Sequence, residues 1–204
     1  MDRDVLDTPF GRCVIIALAE HALVGEERLL AATLGPVRRR ELASGRSALR
    51  AALADLGVVD APAILADDRG APVLPPGFVG SITHKAERAA ALVAPAGQGF
   101  VGIDIELAAA SRLPIERRIL TPREQARVSG RDVTLYFSIK EAIYKAIDPI
   151  VRRYVGFTEV ELDVQADGSV AVTVLDVVRL PVEIEAAWLE RDGHWLATAR
   201  GRRR

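Results

Sequence analysis

Cysteine is nearly absent from this chain of 204 residues, where Cys13 stands alone. A lone cysteine excludes an intrachain disulfide and points to a reducing compartment, and its place beside the apolar run Val14 to Leu18 marks it as a buried structural thiol. No apolar run approaches the roughly 18 residues that a membrane-spanning helix needs, and the opening Met1-Asp2-Arg3-Asp4 is not the basic leader of a secretory signal. The expectation is a cytoplasmic protein without a membrane partner. Neither sign of charge is in excess, since 27 Lys and Arg face 28 Asp and Glu for a formal net charge of -1. No global field therefore draws the chain to nucleic acid, and any anion site has to be local. No internal repeat is legible. Hydrophobic residues are plentiful, at 50%, which argues against disorder and fills the core of one domain or of two halves sharing an interface.

Cys13 to Ala19 has the length and continuity of a strand, and Glu26 to Leu34 reads as a short helix entered after Gly25. A longer helix opens at Pro36 and ends near Gly57, with Leu42, Leu49, Leu53 and Leu56 on its buried stripe. Arg39, Arg46 and Arg50 repeat that pattern three positions earlier, about 60° from the stripe's centre. Arginines on such a shoulder either edge a groove or snorkel, with stems on apolar surface and heads in water. Turn signals at Asp67-Asp68-Arg69-Gly70 and Pro75-Pro76-Gly77 precede a strand from Phe78, read as leading into a loop at Gly80-Ser81-Ile82-Thr83-His84-Lys85. Ala89 to Ala94 and Gly99 to Glu106 read as two strands joined by the turn Pro95-Ala96-Gly97-Gln98. Leu107 to Gly130, interrupted by Pro114 and Pro122 and dotted with arginines, reads as a surface connection. After a helix from Val133 to Asp148 come Val160 to Val164, Val170 to Leu175, Val182 to Trp188 and Trp195 to Ala199. These alternate like antiparallel strands, with hairpin turns at Asp167-Gly168 and Asp192-Gly193. The closing Arg202-Arg203-Arg204 reads as a mobile tail.

Three stretches carry candidate chemistry. In the helix from Val133, Leu135, Ile139, Ala142, Ile143 and Ala146 form an inward face, while Phe137, Glu141 and Lys145 make a separate i, i+4, i+8 line. A carboxylate and an ammonium one turn apart on a rigid helix suit a metal ion and a phosphate together. The plain alternative is a surface Glu to Lys pair that stabilises the helix by about 0.3 to 0.5 kcal/mol. On the strand Gly99 to Glu106, Val101, Ile103 and Ile105 point one way and Asp104 and Glu106 the other. Two carboxylates on one strand face repel unless a cation lies between them, and with Glu141 they make three, a fitting protein share of an octahedral Mg²⁺ site. Otherwise they are an exposed acidic strand end. In Gly80 to Lys85, hydroxyls, an imidazole and an ammonium offer several donors to a phosphate, although the glycine spacing of a P-loop is absent.

Taken in order, Gly80-Ser81-Ile82-Thr83-His84, Gly102-Ile103-Asp104-Ile105-Glu106 and Phe137-Ser138-Ile139-Lys140-Glu141-Ala142-Ile143-Tyr144-Lys145 resemble the motifs of the 4′-phosphopantetheinyl transferases. The similarity is greatest to the monomeric class that serves nonribosomal peptide, polyketide and siderophore synthetases in secondary metabolite biosynthesis. Gly45 to Leu53 and Leu120-Thr121-Pro122-Arg123-Glu124 resemble that class too, so the likeness covers about residues 36 to 150. Phe137 stands where tryptophan is more usual. Ala71 stands where a lysine before proline is often found, and Arg69 could reach the same anion. The resemblance implies an α+β fold in one domain over 1–204, with pseudo-twofold-related halves of roughly 1–100 and 101–204 and coenzyme A between them.

The implied activity is Mg²⁺-dependent transfer of the 4′-phosphopantetheine arm of coenzyme A to a serine of apo acyl, peptidyl or aryl carrier proteins, releasing adenosine 3′,5′-bisphosphate. By resemblance Asp104, Glu106 and Glu141 hold the metal. Lys145 binds the pyrophosphate and, with Asp104 and Glu141, belongs to the catalytic set. Glu141 is the candidate general base, with a hydroxide on the metal as the competing proposal. Ser81, His84 and Lys85 would meet the nucleotide phosphates, and Arg46 and Arg50 the 3′-phosphate or adenine. For the carrier, the stretch after Glu106 offers Leu113 and Ile115 among Arg112, Arg117 and Arg118. The alternatives are a non-catalytic coenzyme A binding relative and a Mg²⁺-dependent phosphotransferase acting on a small molecule.

Overall fold

In the computed structural model the described residues are 3–111, 114–175 and 181–204. The chain divides into two compact units, Met1–Val101 and Gly102–Arg204.

The first unit places strands β1 (Arg3–Thr8), β2 (Gly11–Ala17), β3 (Phe78–Lys85) and β4 (Arg88–Pro95) in one antiparallel sheet of order β1-β2-β4-β3. Helices α1 (Glu27–Ala32) and α2 (Pro36–Asp55) lie between β2 and β3 in the sequence. Pro36 starts α2 at a position whose missing N–H costs nothing. Gly57, at φ +90°, ends it, with Val58 N–H donating to the Leu53 carbonyl and Gly57 N–H to that of Ala54, a Schellman closure. Ala48, Leu49, Ala52 and Leu53, all fully buried, pack on Val14, Ile16, Ala89, Ala91 and Val93 of β2 and β4. Cys13 is buried in β2, and burial, aided by the charge of Asp4, pushes its thiol up to about 12. It is therefore a neutral packing residue.

The second unit has a five-stranded sheet of order β5-β9-β8-β7-β6, built from β5 (Phe100–Leu107), β6 (Val160–Val164), β7 (Ser169–Val174), β8 (Val182–Arg191) and β9 (His194–Arg203). Short helices α3 (Glu116–Ile119) and α4 (Pro122–Gln125) precede the 21-residue α5 (Arg131–Val151). The inward line Leu135, Ile139, Ala142, Ile143 and Ala146 is buried as its spacing predicts.

Three readings are corrected. Gly80 to Lys85 is not a loop, because all six residues belong to β3 and pair with β4 as far as Lys85 opposite Arg88. The stretch Leu107 to Gly130 is not purely surface, because Ile119, Leu120, Thr121 and Glu124 are buried and Pro122 opens α4 instead of breaking it. The terminal arginines are not a loose tail. Arg203 pairs with Val182 in the β8–β9 ladder, and Arg202 joins Arg200 on the carboxylate of Glu185.

One buried ion pair holds the connection from α3 to β6 against α5. The Lys140 ammonium donates all three hydrogens, to Glu124 Oε2 at 2.7 Å, the Phe157 carbonyl at 2.8 Å and the Ile119 carbonyl at 2.9 Å. Glu124 also accepts from the backbone N–H groups of Thr121 and Leu162, at 2.7 and 2.8 Å. Both side chains of the pair are wholly inaccessible to solvent. Burial drives the Lys140 ammonium toward neutrality, and the Glu124 carboxylate opposes that drive. Breaking such a pair leaves an uncompensated buried charge, so Lys140→Met or Glu124→Gln alone is expected to cost about 3–5 kcal/mol. The double variant should lose markedly less than the sum, measured by urea unfolding, whereas additivity within about 0.5 kcal/mol would mean that the two groups are not coupled.

Candidate functional site

Strand β5 alternates Ile103 and Ile105 with Gly102, Asp104 and Glu106, and it is the glycine that sets the distance to α5. A Cβ at Gly102 would collide with the Ala142 carbonyl oxygen and lie 2.8 Å from the backbone nitrogen of Ala146. With hydrogen there instead, the strand backbone rests on the turn of α5 that carries Glu141 and Lys145. Two residues further along the same strand face, Asp104 is buried, and its Oδ1 accepts from Lys145 Nζ at 2.8 Å. The same ammonium donates to the Ile103 carbonyl at 2.9 Å. Burial raises the proton affinity of Glu141, the charge of Lys145 counters it, and the charges of Asp104 and Glu106 raise it further. Asp104, Glu106, Glu141 and Lys145, chosen from sequence, thus form one electrostatic cluster within the second unit. Beside it, Phe157 packs against Phe137 and Tyr144, at 5.7 and 5.2 Å between ring centroids.

The donors suit a hard divalent cation, being carboxylate oxygens without imidazole or thiolate. The mutual repulsion felt by Glu141 is of the kind that such a cation relieves. Among the described residues no three His, Cys, Asp or Glu side chains are already gathered in metal-binding positions. Asp104 meets the ammonium of Lys145.

In the first unit the remaining candidates take two different settings. Ser81 is buried, and by the period of two it shares a face of β3 with Thr83 and Lys85. His84 points to the other face, where its Nε2 lies 3.3 Å from Glu41 Oε2. Gly80 and Ile82 share that face and meet Leu49 and Gly45 of α2. Arg46 and Arg50 converge on a buried carboxylate that pattern reading passed over. Glu27 accepts from Arg50 Nη2, from Ile64 N–H at 2.7 Å and from Val24 N–H at 3.0 Å. Arg46 Nε donates to the Ile64 carbonyl at 2.5 Å. Burial opposes ionisation of Glu27, yet the Arg50 hydrogen bond and the two backbone N–H groups outweigh it and hold the carboxyl below its usual range. Glu27 stands in an acidic, helix-opening context that looks exposed, and no local signal in the sequence announces its partner at Ile64. Arg117 and Arg118 are exposed on α3, whereas Arg112 and Leu113 lie outside the described residues.

A carboxylate cluster with an adjacent ammonium thus stands on one strand and one helix of the second unit. Comparison with known proteins gives the class. Residues 25–94 match the 4′-phosphopantetheinyl transferase N-terminal domain, and residues 100–199 match the 4′-phosphopantetheinyl transferase superfamily. The chain is 37% identical to the 4′-phosphopantetheinyl transferase Svp of Streptomyces mobaraensis over 72% of its length and 63% of the relative's. To Npt of Nocardia iowensis, of the same description, it is 36% identical over 71% of its length and 67% of the relative's. To PptT of Mycobacterium tuberculosis it is 37% identical over 71% and 66%. The chain belongs to the 4′-phosphopantetheinyl transferase superfamily. Its matches span about two thirds of the length of these relatives.

Because Gly102 faces backbone atoms that cannot swing away, Gly102→Ala is expected to lower stability by about 1–3 kcal/mol. Gly97→Ala, at a position with nothing near the new methyl, should stay within about 0.5 kcal/mol of the parent. Urea midpoints of the two variants check this, and equal values would mean that β5 does not depend on the close approach.

Proposed function

We propose that the protein transfers the 4′-phosphopantetheine arm of coenzyme A to a serine hydroxyl of an apo carrier protein, with Mg²⁺, and releases adenosine 3′,5′-bisphosphate. The observation that carries this reading is the meeting of Asp104, Glu106 and Glu141 with Lys145 in the second unit. The relatives' names and the two family matches support the reaction class.

The reaction is attack by an alcohol on a phosphoanhydride. The serine oxygen bonds to the phosphorus that bears pantetheine, the bridging P–O bond breaks, and the electron pair leaves on the bisphosphate. Asp104, Glu106 and Glu141 would hold the metal, which supplies Lewis acidity and a template for the pyrophosphate. The Lys145 ammonium offers charge to the phosphates where negative charge grows. Glu141 is the proposed acceptor of the serine proton. Its raised proton affinity, caused by burial and by Asp104 and Glu106 against the pull of Lys145, brings it nearer the operating pH, where a general base works best. Ser81, His84 and Lys85 are assigned to the nucleotide phosphates, and Arg46 and Arg50 to the 3′-phosphate or adenine. For Arg46 and Arg50 this role would be added to their bonds to Ile64 and Glu27. Acidic acyl, peptidyl or aryl carriers are the proposed protein partners, met by the exposed Arg117 and Arg118, and the working form is proposed to be a monomer in the cytoplasm. No helix among the described residues is long and apolar enough to cross a membrane.

Incubation with coenzyme A, Mg²⁺ and several apo carriers, followed by weighing the carriers, tests the reading directly. Carriers that gain one phosphopantetheine each support it, and carriers of unchanged mass across the panel sink it. Asp104→Ala and Glu141→Gln should abolish transfer while circular dichroism stays that of the parent. Turnover within tenfold of the parent in saturating Mg²⁺ would remove these residues from the reaction. For the nucleotide end, replacing His84 or Lys85 should weaken coenzyme A binding roughly ten- to hundredfold, the worth of a charge-assisted hydrogen bond. The loss should be smaller for dephospho-coenzyme A where the contact is to the 3′-phosphate, and equal losses would place the contact elsewhere on the ligand.

A further inference from the structure

Of the 27 Lys and Arg residues only three are lysines, Lys85, Lys140 and Lys145. Elsewhere the chain carries its positive charge on arginine, and lysine stands on both sides of the turn that bears Glu141. Lys140 is locked by three short bonds, but Lys145 is held differently. Its side chain keeps about a third of its exposure, at 31%, while that of its partner Asp104 is at 8%. The ammonium makes two bonds, to Asp104 Oδ1 and to the Ile103 carbonyl, both on β5. It is a compact charge on a flexible four-carbon stem, able to exchange one anionic partner for another in a way that a planar guanidinium is not.

The charge at this place constrains what else can bind. Asp104, Glu106 and Glu141 are three carboxylates, and the Lys145 ammonium is bonded to the first of them. A divalent cation arriving alone at Asp104 would meet an ammonium hydrogen-bonded to that very carboxylate, and the two cations would repel at close range. A pyrophosphate arriving with the cation changes this, since it offers the ammonium a new anionic partner and lies between the two positive charges. We propose that Lys145 is the resident counter-cation of the acidic cluster, and that a divalent metal takes its place on Asp104 only when a pyrophosphate ligand draws the ammonium away. Metal and coenzyme A then bind as one coupled unit, and Lys145 sets the coupling. This inference rests on the proposed function for the identity of the metal and the ligand, and it adds the order of events.

The test uses Mn²⁺ as the probe, followed by its electron paramagnetic resonance signal on the full chain without carrier. The parent is expected to bind Mn²⁺ weakly alone and at least about tenfold more tightly with coenzyme A, within the usual 5- to 150-fold range of coupling. Adenosine 3′,5′-bisphosphate, which lacks the pyrophosphate, should give little of this gain. Lys145→Met, neutral and of similar length, should bind Mn²⁺ alone about tenfold more tightly than the parent and respond less to coenzyme A. Lys145→Arg, which keeps the charge, should retain weak binding alone. By reciprocity Mn²⁺ should tighten coenzyme A binding in the parent by the same factor, a second measure independent of the metal signal. If Asp104→Asn loses the metal while Lys145→Met binds it no more tightly than the parent, the inference falls and the reading of the site stands. If Asp104→Asn leaves Mn²⁺ binding unchanged, or coenzyme A does not bind at all, both fall together.

Discussion

The acidic cluster exists because the backbone of β5 lies directly against the backbone of α5. Most strands meet a helix through side chains, which hold the two main chains apart. Here a hydrogen atom at Gly102 replaces that layer, and Gly201 does the same on β9, where a Cβ would stand 2.8 Å from the Ala146 carbonyl. The result is an aspartate on a strand and a lysine on a helix close enough to bond, with a half-buried glutamate one turn before the lysine. Neither element could hold that arrangement alone, since the strand supplies two of the carboxylates and the helix supplies the third with the ammonium.

Both units answer the problem of buried charge in the same manner. In the first, Glu27 is enclosed by Arg50 and by the backbone N–H groups of Val24 and Ile64. In the second, Glu124 is enclosed by Lys140 and by those of Thr121 and Leu162. Each carboxylate anchors a connecting segment to the long helix of its unit, through Arg50 on α2 and Lys140 on α5. Such a staple contributes less through net energy than by excluding other loop conformations, because a half-satisfied buried charge is so costly.

The elements and the site differed in how far they could be read. The inner face of α5 and the stripe of α2 were legible because apolar residues at helical spacing report burial without knowledge of the partner. Asp104, Glu106, Glu141 and Lys145 were legible as two pairs, each on one face of its own element. Their closeness was anticipated from metal chemistry and the motif resemblance, whereas its cause, the contact of Gly102 with Ala142, shows only in the fold. Gly80 to Lys85 read as a loop because its residues are small and polar, yet the neighbouring β4, buried along nearly its whole length, needs a partner on that side. The buried pairing of Lys140 with Glu124, like that of Arg50 with Glu27, was not legible, because these partners lie far apart in the sequence. The arginines at the terminus were mistaken for a tail because nothing local shows that Glu185 and Val182 stand opposite.

The locking of Lys140 bears on the chemical reactivity of the whole molecule. An amine attacks an electrophile through a lone pair, and an ammonium whose three hydrogens are all held by buried oxygens has none to offer while the fold persists. With Lys140 closed in this way, the remaining lysines are Lys85 and Lys145, one on each unit and both within the candidate site residues. Among the lysines, an amine-directed reagent would therefore act at the two positions that are proposed to grip phosphate.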